Sequence, residues 1–208
     1  MICRLCESDS LQSYFNEYSK CSRCHMIQQD QATLLTFEEE KSRYSQHNND
    51  SQDLGYINFL KNLTDPLLNY IKPSDIGLDF GCGPGPTISK ILAKENVECF
   101  DYDPAFFPHQ SLLETKYDFI TSSEVFEHLH RPKEVIESIW AMIKPGGILG
   151  IMTVFYPQKQ EDFAKWWYKN DPTHVCFYNE EVFEYICREL GAEILEMNRK
   201  IVIIRRVS

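Results

Sequence analysis

The sequence predicts an α/β chain built on a doubly wound, mostly parallel sheet with a terminal antiparallel strand, preceded by a small cysteine-rich module. Three observations carry that expectation. Between residues 73 and 154, short apolar runs alternate with segments of helical period. Glycines at alternate positions, Gly81, Gly83 and Gly85, join the first of these runs to the first helix. At the C-terminal end two runs, Ala192–Glu196 and Lys200–Arg205, stand close enough in sequence to pair as a hairpin.

The cysteine-rich module comes first in the chain. Cys3-x-x-Cys6 and Cys21-x-x-Cys24 are separated by fourteen residues. Two such turns at this spacing can offer four thiolates to one tetrahedral Zn2+. Between them, Leu11–Tyr18 reads as strand material with too few apolar side chains to fold unaided, so a metal supplies the missing stability. Cys21-Ser-Arg-Cys24-His25 also has the pattern of covalent haem attachment, which goes with export. No export signal is visible in Met1–Cys6, and His25 is left as a substitute ligand or a donor beside the metal. A zinc-ribbon-like unit is expected over residues 1–29.

Residues 30–72 are expected to form a helical connector. Leu34–Lys41 reads as an exposed helix and Tyr44–Ser51 as a loop. Leu54, Ile57, Leu60, Leu63, Leu67, Leu68 and Ile71 follow a mostly helical spacing, with a break expected near Thr64-Asp65 and a second helix starting at Pro66. Tyr44 and Tyr56 are set down as interface packing or as covers over a ligand, and His47 as a surface group.

In the core over residues 73–208, strands are expected at Ile76–Phe80, Val97–Phe100, Phe119–Thr121 and Ile148–Val154, and helices at Thr87–Lys94 and Pro132–Ile143. Glu180–Leu190 reads as a further helix, with Val182, Phe183, Ile186 and Leu190 on one face and Gly191 as its C-cap.

The glycine loop narrows the chemistry. A dinucleotide fingerprint would place its third glycine at position 86, but that residue is Pro86. The string Leu78-Asp79-Phe80-Gly81-Cys82-Gly83-Pro84-Gly85 instead resembles motif I of the class I S-adenosylmethionine (SAM) methyltransferases, whose sheet is Rossmann-like. Asp101, twenty residues past Gly81 and at the end of the second run, suits a ribose diol. Tyr117–Leu129, followed by a helix and Lys144-Pro145-Gly146-Gly147, is similar to the fourth-strand region of that superfamily. The resemblance covers roughly residues 55–208. It implies a SAM site at Asp79, Gly81, Cys82, Gly83, Gly85, Asp101, Tyr102 and Glu124, with S-adenosylhomocysteine (SAH) as product. Only twelve residues separate Asp103-Pro104 from Tyr117, too few for the usual helix and third strand. Adenine recognition therefore falls to apolar contacts from Phe106, Leu112 or Leu113.

Candidate catalytic groups follow the fourth strand and the fifth. Glu127 and His128 read as a carboxylate and imidazole that orient a general base, or as loop supports. His174, in the turn Asp171-Pro-Thr-His, reads as a base at the mouth of the site, with Tyr178 and Trp167 as walls, or as core.

Charge and hydropathy bound the partners. With 31 acids against 21 bases the net charge is −10, which disfavours nonspecific nucleic-acid binding. No run approaches the roughly 18 apolar residues of a membrane span. A cytoplasmic protein with thiol or metal-bound cysteines is expected. The function expected is methyl transfer to a small-molecule acceptor. An RNA or protein methyltransferase that reads its target with the zinc module, and a non-catalytic scaffold, stand as alternatives.

Overall fold

The computed structural model describes residues 1–36, 39 and 52–207. Half of the expected connector helix over Leu34–Lys41, residues 37, 38, 40 and 41, lies outside these residues. The loop Tyr44–Ser51, with Tyr44 and His47, lies wholly outside them.

The N-terminal hairpin is β1 (Leu11–Phe15) and β2 (Tyr18–Cys21), followed by β3 (Ile27–Gln29), all antiparallel. The expected single stretch Leu11–Tyr18 is thus two strands, because Asn16 takes φ 44° and reverses the chain.

Helix α1 (Leu54–Leu67) begins at Asp53, whose carboxylate accepts from Gly55 N at 2.7 Å. The expected break at Thr64-Asp65 does not occur. Pro66 sits in the last turn, where its missing N–H forfeits a single backbone bond, and Leu68 N still reaches Thr64 O at 3.1 Å. Leu60, Leu63 and Leu67 are buried, whereas Leu54 is exposed.

The central sheet is assembled from β4 (Ile76–Phe80), β5 (Glu98–Tyr102), β6 (Tyr117–Ser123), β7 (Ile143–Met152), β9 (Ala192–Met197) and β10 (Ile201–Arg206). Its order is β5-β4-β6-β7-β10-β9. The first three pairings are parallel and the last two antiparallel. Between Asp103 and Tyr117 the chain forms an isolated bridge, Asp103↔Phe107, and a 3-10 turn at Gln110–Glu114 but no further strand of the sheet, so β5 is its edge, as the short spacing requires.

Helices cover both faces, which the crossovers of a parallel sheet demand. On one face α1 and α2 (Ile88–Lys94) bury Leu63, Leu67, Ile91 and Leu92 against Phe119, Ile148 and Ile203. On the other, α3 (Pro132–Met142) and α5 (Glu180–Leu190) bury Ile139 and Phe183 against Leu149, Ile151 and Val202. α3 starts with proline at its first position. In α5 the Asn179 side chain accepts from Val182 N at 3.1 Å, and Gly191 ends the helix at φ 64°.

A short helix α4 (Gln160–Lys165) leads toward β8 (Cys176–Phe177). β8 does not join the central sheet. It pairs antiparallel with β3, giving a second sheet of order β1-β2-β3-β8. The cysteine-bearing hairpin is therefore completed by a strand from near the other end of the chain.

Candidate active site

The sheet reverses its winding between β4 and β6, and the glycine loop leaves β4 at that point. Gly81 has φ 83°, and a Cβ there would stand 2.4 Å from Val125 Cγ2, so no other residue fits. The N–H groups of Gly81 and Cys82 both donate to Tyr102 O, at 2.8 and 3.1 Å, which ties the loop to the end of β5. Gly83, at φ 66°, donates its N–H to Asp103 Oδ2 at 3.1 Å. Gly85 O accepts from Thr87 Oγ1 at 2.9 Å.

Three aspartates gather beside this loop. Asp101 Oδ2 accepts from Ser89 Oγ at 2.9 Å, while its Oδ1 is buried with no partner among the described residues. Burial raises the Asp101 pKa. Asp79 is buried and accepts from Thr121 Oγ1 at 2.9 Å. Burial, helped by Asp101 and Asp103, pushes its carboxyl up to about 7. Asp103 was not among the expected site residues. Besides holding Gly83, its Oδ1 accepts from Ala105 N and Phe106 N at 2.8 and 3.1 Å. Only the fold shows this, since in sequence it is one more turn-forming Asp-Pro. Cys82 and Tyr102 are buried under the loop, and burial raises the Cys82 thiol. Tyr56 of α1 is partly buried close enough to Asp79 and Glu124 to feel both, its phenol pushed up to about 12 chiefly by burial.

A second cluster stands beyond the end of β6. Glu124 takes φ 53°, a conformation that costs a non-glycine residue about 1–2 kcal/mol. Its N–H is held by Met152 O at 2.8 Å. The Tyr168 hydroxyl lies 3.1 Å from Glu124 Oε2 and closer still to Glu127 Oε1. One hydroxyl has one proton to give, so joining both carboxyls needs a second proton in the cluster. Burial first, and for Glu124 also the neighbouring Glu127 carboxylate, raise the pKa of both glutamates, which supplies that proton near neutrality.

His128 and His174 complete the cluster. His128 Nδ1 lies 2.9 Å from Thr173 O, and His174 Nδ1 lies 2.7 Å from Tyr168 O. A carbonyl only accepts, so each Nδ1 carries the proton. The two rings are 4.7 Å apart, and the ligand atoms of Glu127, His128 and His174 lie within 4.8 Å of one another. Such groups stand close enough to share a proton or a cation. Asp171 Oδ1 accepts from Thr173 N and Oγ1 at 3.0 and 2.7 Å and so sets the turn that carries His174.

The fold thus brings Glu124, Glu127, His128 and His174 together. Of the two places expected for it, wall or core, Tyr178 takes the core. Its ring is fully buried and its hydroxyl donates to Phe126 O at 3.1 Å, so it packs the core behind the cluster. Trp167 is 67% exposed and stands edge-on to Tyr168 at the rim. Tyr168, the group that joins the two glutamates, was not separable in sequence from the aromatic residues around it.

The four N-terminal cysteines form a separate centre. Cys3 Sγ is 3.4 Å from Cys24 Sγ, Cys6 Sγ is 3.5 Å from Cys21 Sγ, and all four lie within 4.8 Å of one another. The two turns match. Glu7 N donates to Cys3 O at 2.9 Å and His25 N to Cys21 O at 3.0 Å, with φ of 56° at Glu7 and 66° at His25. Burial raises the Cys6 thiol, and the neighbouring Cys3 thiolate opposes its ionisation. Four thiolates at this spacing suit a bound cation, whose charge reverses that repulsion. His25 lies outside this group, with Nδ1 3.7 Å from Glu181 Oε2.

Comparison with known proteins gives the geometry its family. Residues 53–197 match the family described as "Methyltransferase domain". The chain belongs to that family. It is 28% identical to a ubiquinone biosynthesis O-methyltransferase of Photorhabdus laumondii, over 60% of this chain and 62% of that one. It is 27% identical to the protein of the same name from Yersinia pestis, over 64% of each chain. The matches thus span a little under two thirds of these curated relatives. Among solved structures, magnesium protoporphyrin IX methyltransferase from Synechocystis with bound SAH superposes with a TM-score of 0.56 at 15% identity, covering 83% of this chain and 89% of that one. A SAM-dependent methyltransferase from Methanosarcina mazei superposes at 0.52 and 16% identity, covering 68% and 97%. At these identities the chain shares a fold with its structural neighbours. The glycine loop at the switch point of the sheet and the orphaned Asp101 Oδ1 beside it fit a bound nucleoside.

Proposed function

We propose that this methyltransferase transfers the SAM methyl group to a small-molecule acceptor. The observation that carries the reading is the juxtaposition of the two clusters at one end of the sheet, with β4 delivering the glycine loop and β6 leading to the half-buried Glu124 and the buried Glu127. The names of the curated relatives support a small acceptor and transfer to oxygen.

In this reading Asp101 accepts from the ribose hydroxyls, and Gly81–Gly85 pass beneath the nucleoside with Asp103 bracing the loop. Asp79, Cys82 and Tyr102 support the loop from below, and Glu124 faces the methionine end of the cofactor. Bound SAM supplies a sulfonium already activated toward displacement of its methyl group. The chain aligns the acceptor with it and takes the proton the acceptor loses. Glu127, poised by burial near neutrality and joined to Tyr168 and His128, is the first station for that proton. His174 holds the same cluster from the other side. Zn2+ in the four-cysteine centre is structural in this reading, since four protein ligands leave no open position for chemistry.

The test uses SAM carrying a labelled methyl group, incubated with the protein and with separated small-molecule, RNA and protein fractions. Label is expected in the small-molecule fraction. Label in RNA or protein would move the acceptor to a macromolecule.

A further inference from the structure

The four-cysteine centre and the His174 turn are far apart in sequence but meet at one peptide. Val175, fully buried, follows His174 directly. Its N–H donates to Glu127 O at 2.7 Å. Its carbonyl accepts twice, from Gln29 N at 2.9 Å and from Arg4 Nη2 at 2.9 Å. Arg4 lies inside the Cys3-x-x-Cys6 turn. The same Nη2 also donates to Gln29 O at 2.8 Å, and Arg4 N donates to the Gln28 side chain at 2.9 Å.

We propose that Arg4 is a positioning residue for the active site. Its guanidinium clamps the Val175 carbonyl and thereby fixes the His174 turn against Glu127. The physical reason is redundancy. β8 has only two residues, and its pairing with β3 is Ile27↔Phe177 and Gln28↔Cys176. So short a strand holds poorly by its ladder alone. A charged donor that reaches both β3 and the start of β8 adds charge-assisted bonds where the ladder ends. The stem of that donor is anchored between two cysteines, so ordering of the knuckle is transmitted to the turn. The cation centre serves the site through this contact without taking part in the chemistry. The role assigned to the turn rests on the reading of Glu127 and His174 given above, whereas the clamp rests on the hydrogen bonds alone.

Amide hydrogen exchange on the full chain reads the clamp without any acceptor. Arg4→Ala should speed exchange at Gln29 and Val175 by tenfold or more and alter the Nδ1–H resonance of His174. Zinc content and SAH affinity should stay at wild-type values, and exchange in β4 and β7 should not change. Arg4→Lys, which keeps the charge and its donors but loses the fixed planar geometry of the guanidinium, should lie between. Unchanged exchange and an unchanged His174 resonance in Arg4→Ala overturn the proposal, as does loss of zinc, which would make Arg4 a folding determinant of the knuckle. Should Arg4→Ala fail to fold, Arg4→Lys decides alone, with wild-type exchange at Val175 overturning the proposal and faster exchange supporting it. Wild-type protein that binds no SAH would sink the methyltransferase site and leave the clamp standing.

Discussion

Asp79 shows how a single buried carboxyl shapes this protein's response to pH. Its folded pKa of about 7 lies above the 3.8 of an unburied carboxyl. The folded state therefore holds the proton more tightly than the unfolded chain. Asp79 destabilises progressively as pH rises from about 4 to about 7, and its effect is constant above that. The gap of about three units corresponds to roughly 4 kcal/mol. Asp79→Asn keeps an oxygen for Thr121 but cannot ionise. Urea unfolding at pH 5 and pH 8 should show a smaller loss of stability in the variant than in wild type, and equal slopes would contradict the assignment. Asp101 makes the complementary case. In the proposed site, Asp101→Ala removes hydrogen bonds to the ribose, each charge-assisted and worth about 1.5–3 kcal/mol. Calorimetry with SAH should show at least tenfold weaker binding. Wild-type protein that ignores SAH and binds NAD instead would end the SAM reading.

At the scale of elements, the four-cysteine hairpin and β8 stand or fall together. Elemental analysis should find one zinc per chain. Because β3 pairs with β8, chelation should loosen not only residues 1–29 but also the segment around His174, while the parallel sheet stays folded. Limited proteolysis with and without chelator measures this, and cleavage confined to the first thirty residues would show that the two sheets are independent. The glycine loop is the other element with little freedom. Gly81→Ala must either displace Val125 or abandon φ 83°, and should cost about 1–3 kcal/mol of stability together with SAH affinity. A variant that melts and binds SAH like wild type would refute the close approach.

At the scale of the whole molecule, the two sheets converge on the cluster of Glu124, Glu127, His128, Tyr168 and His174. If this cluster accepts the acceptor's proton, Glu127→Gln should lower turnover by roughly 10²–10⁴-fold, the usual worth of a positioned base, with SAH affinity nearly unchanged. His174→Ala separates its two readings in one variant. A drop in turnover at an unchanged melting temperature marks a chemical role, and a lower melting temperature with normal turnover of the folded fraction marks packing. No described helix is long and apolar enough to cross a membrane.

Local chemistry was legible in the sequence because it is local. The glycine loop, the alternation of strands and helices, the cap at Gly191 and the short span before Tyr117 each depend on residues within a few positions of one another. Spacing alone also fitted the four cysteines to one centre. Tertiary structure decided what depends on distant pairs. Pro66 passes without a break because α1 ends just beyond it and packs against the sheet. Tyr178 goes to the core and Tyr168 to the carboxylates, a choice between neighbouring aromatics that periodicity cannot make. The joining of Cys176–Phe177 to Ile27–Gln29 pairs strands almost 150 residues apart. Backbone hydrogen bonds of that kind leave no side-chain pattern, so the link between the cysteine centre and the His174 turn exists only in the folded chain.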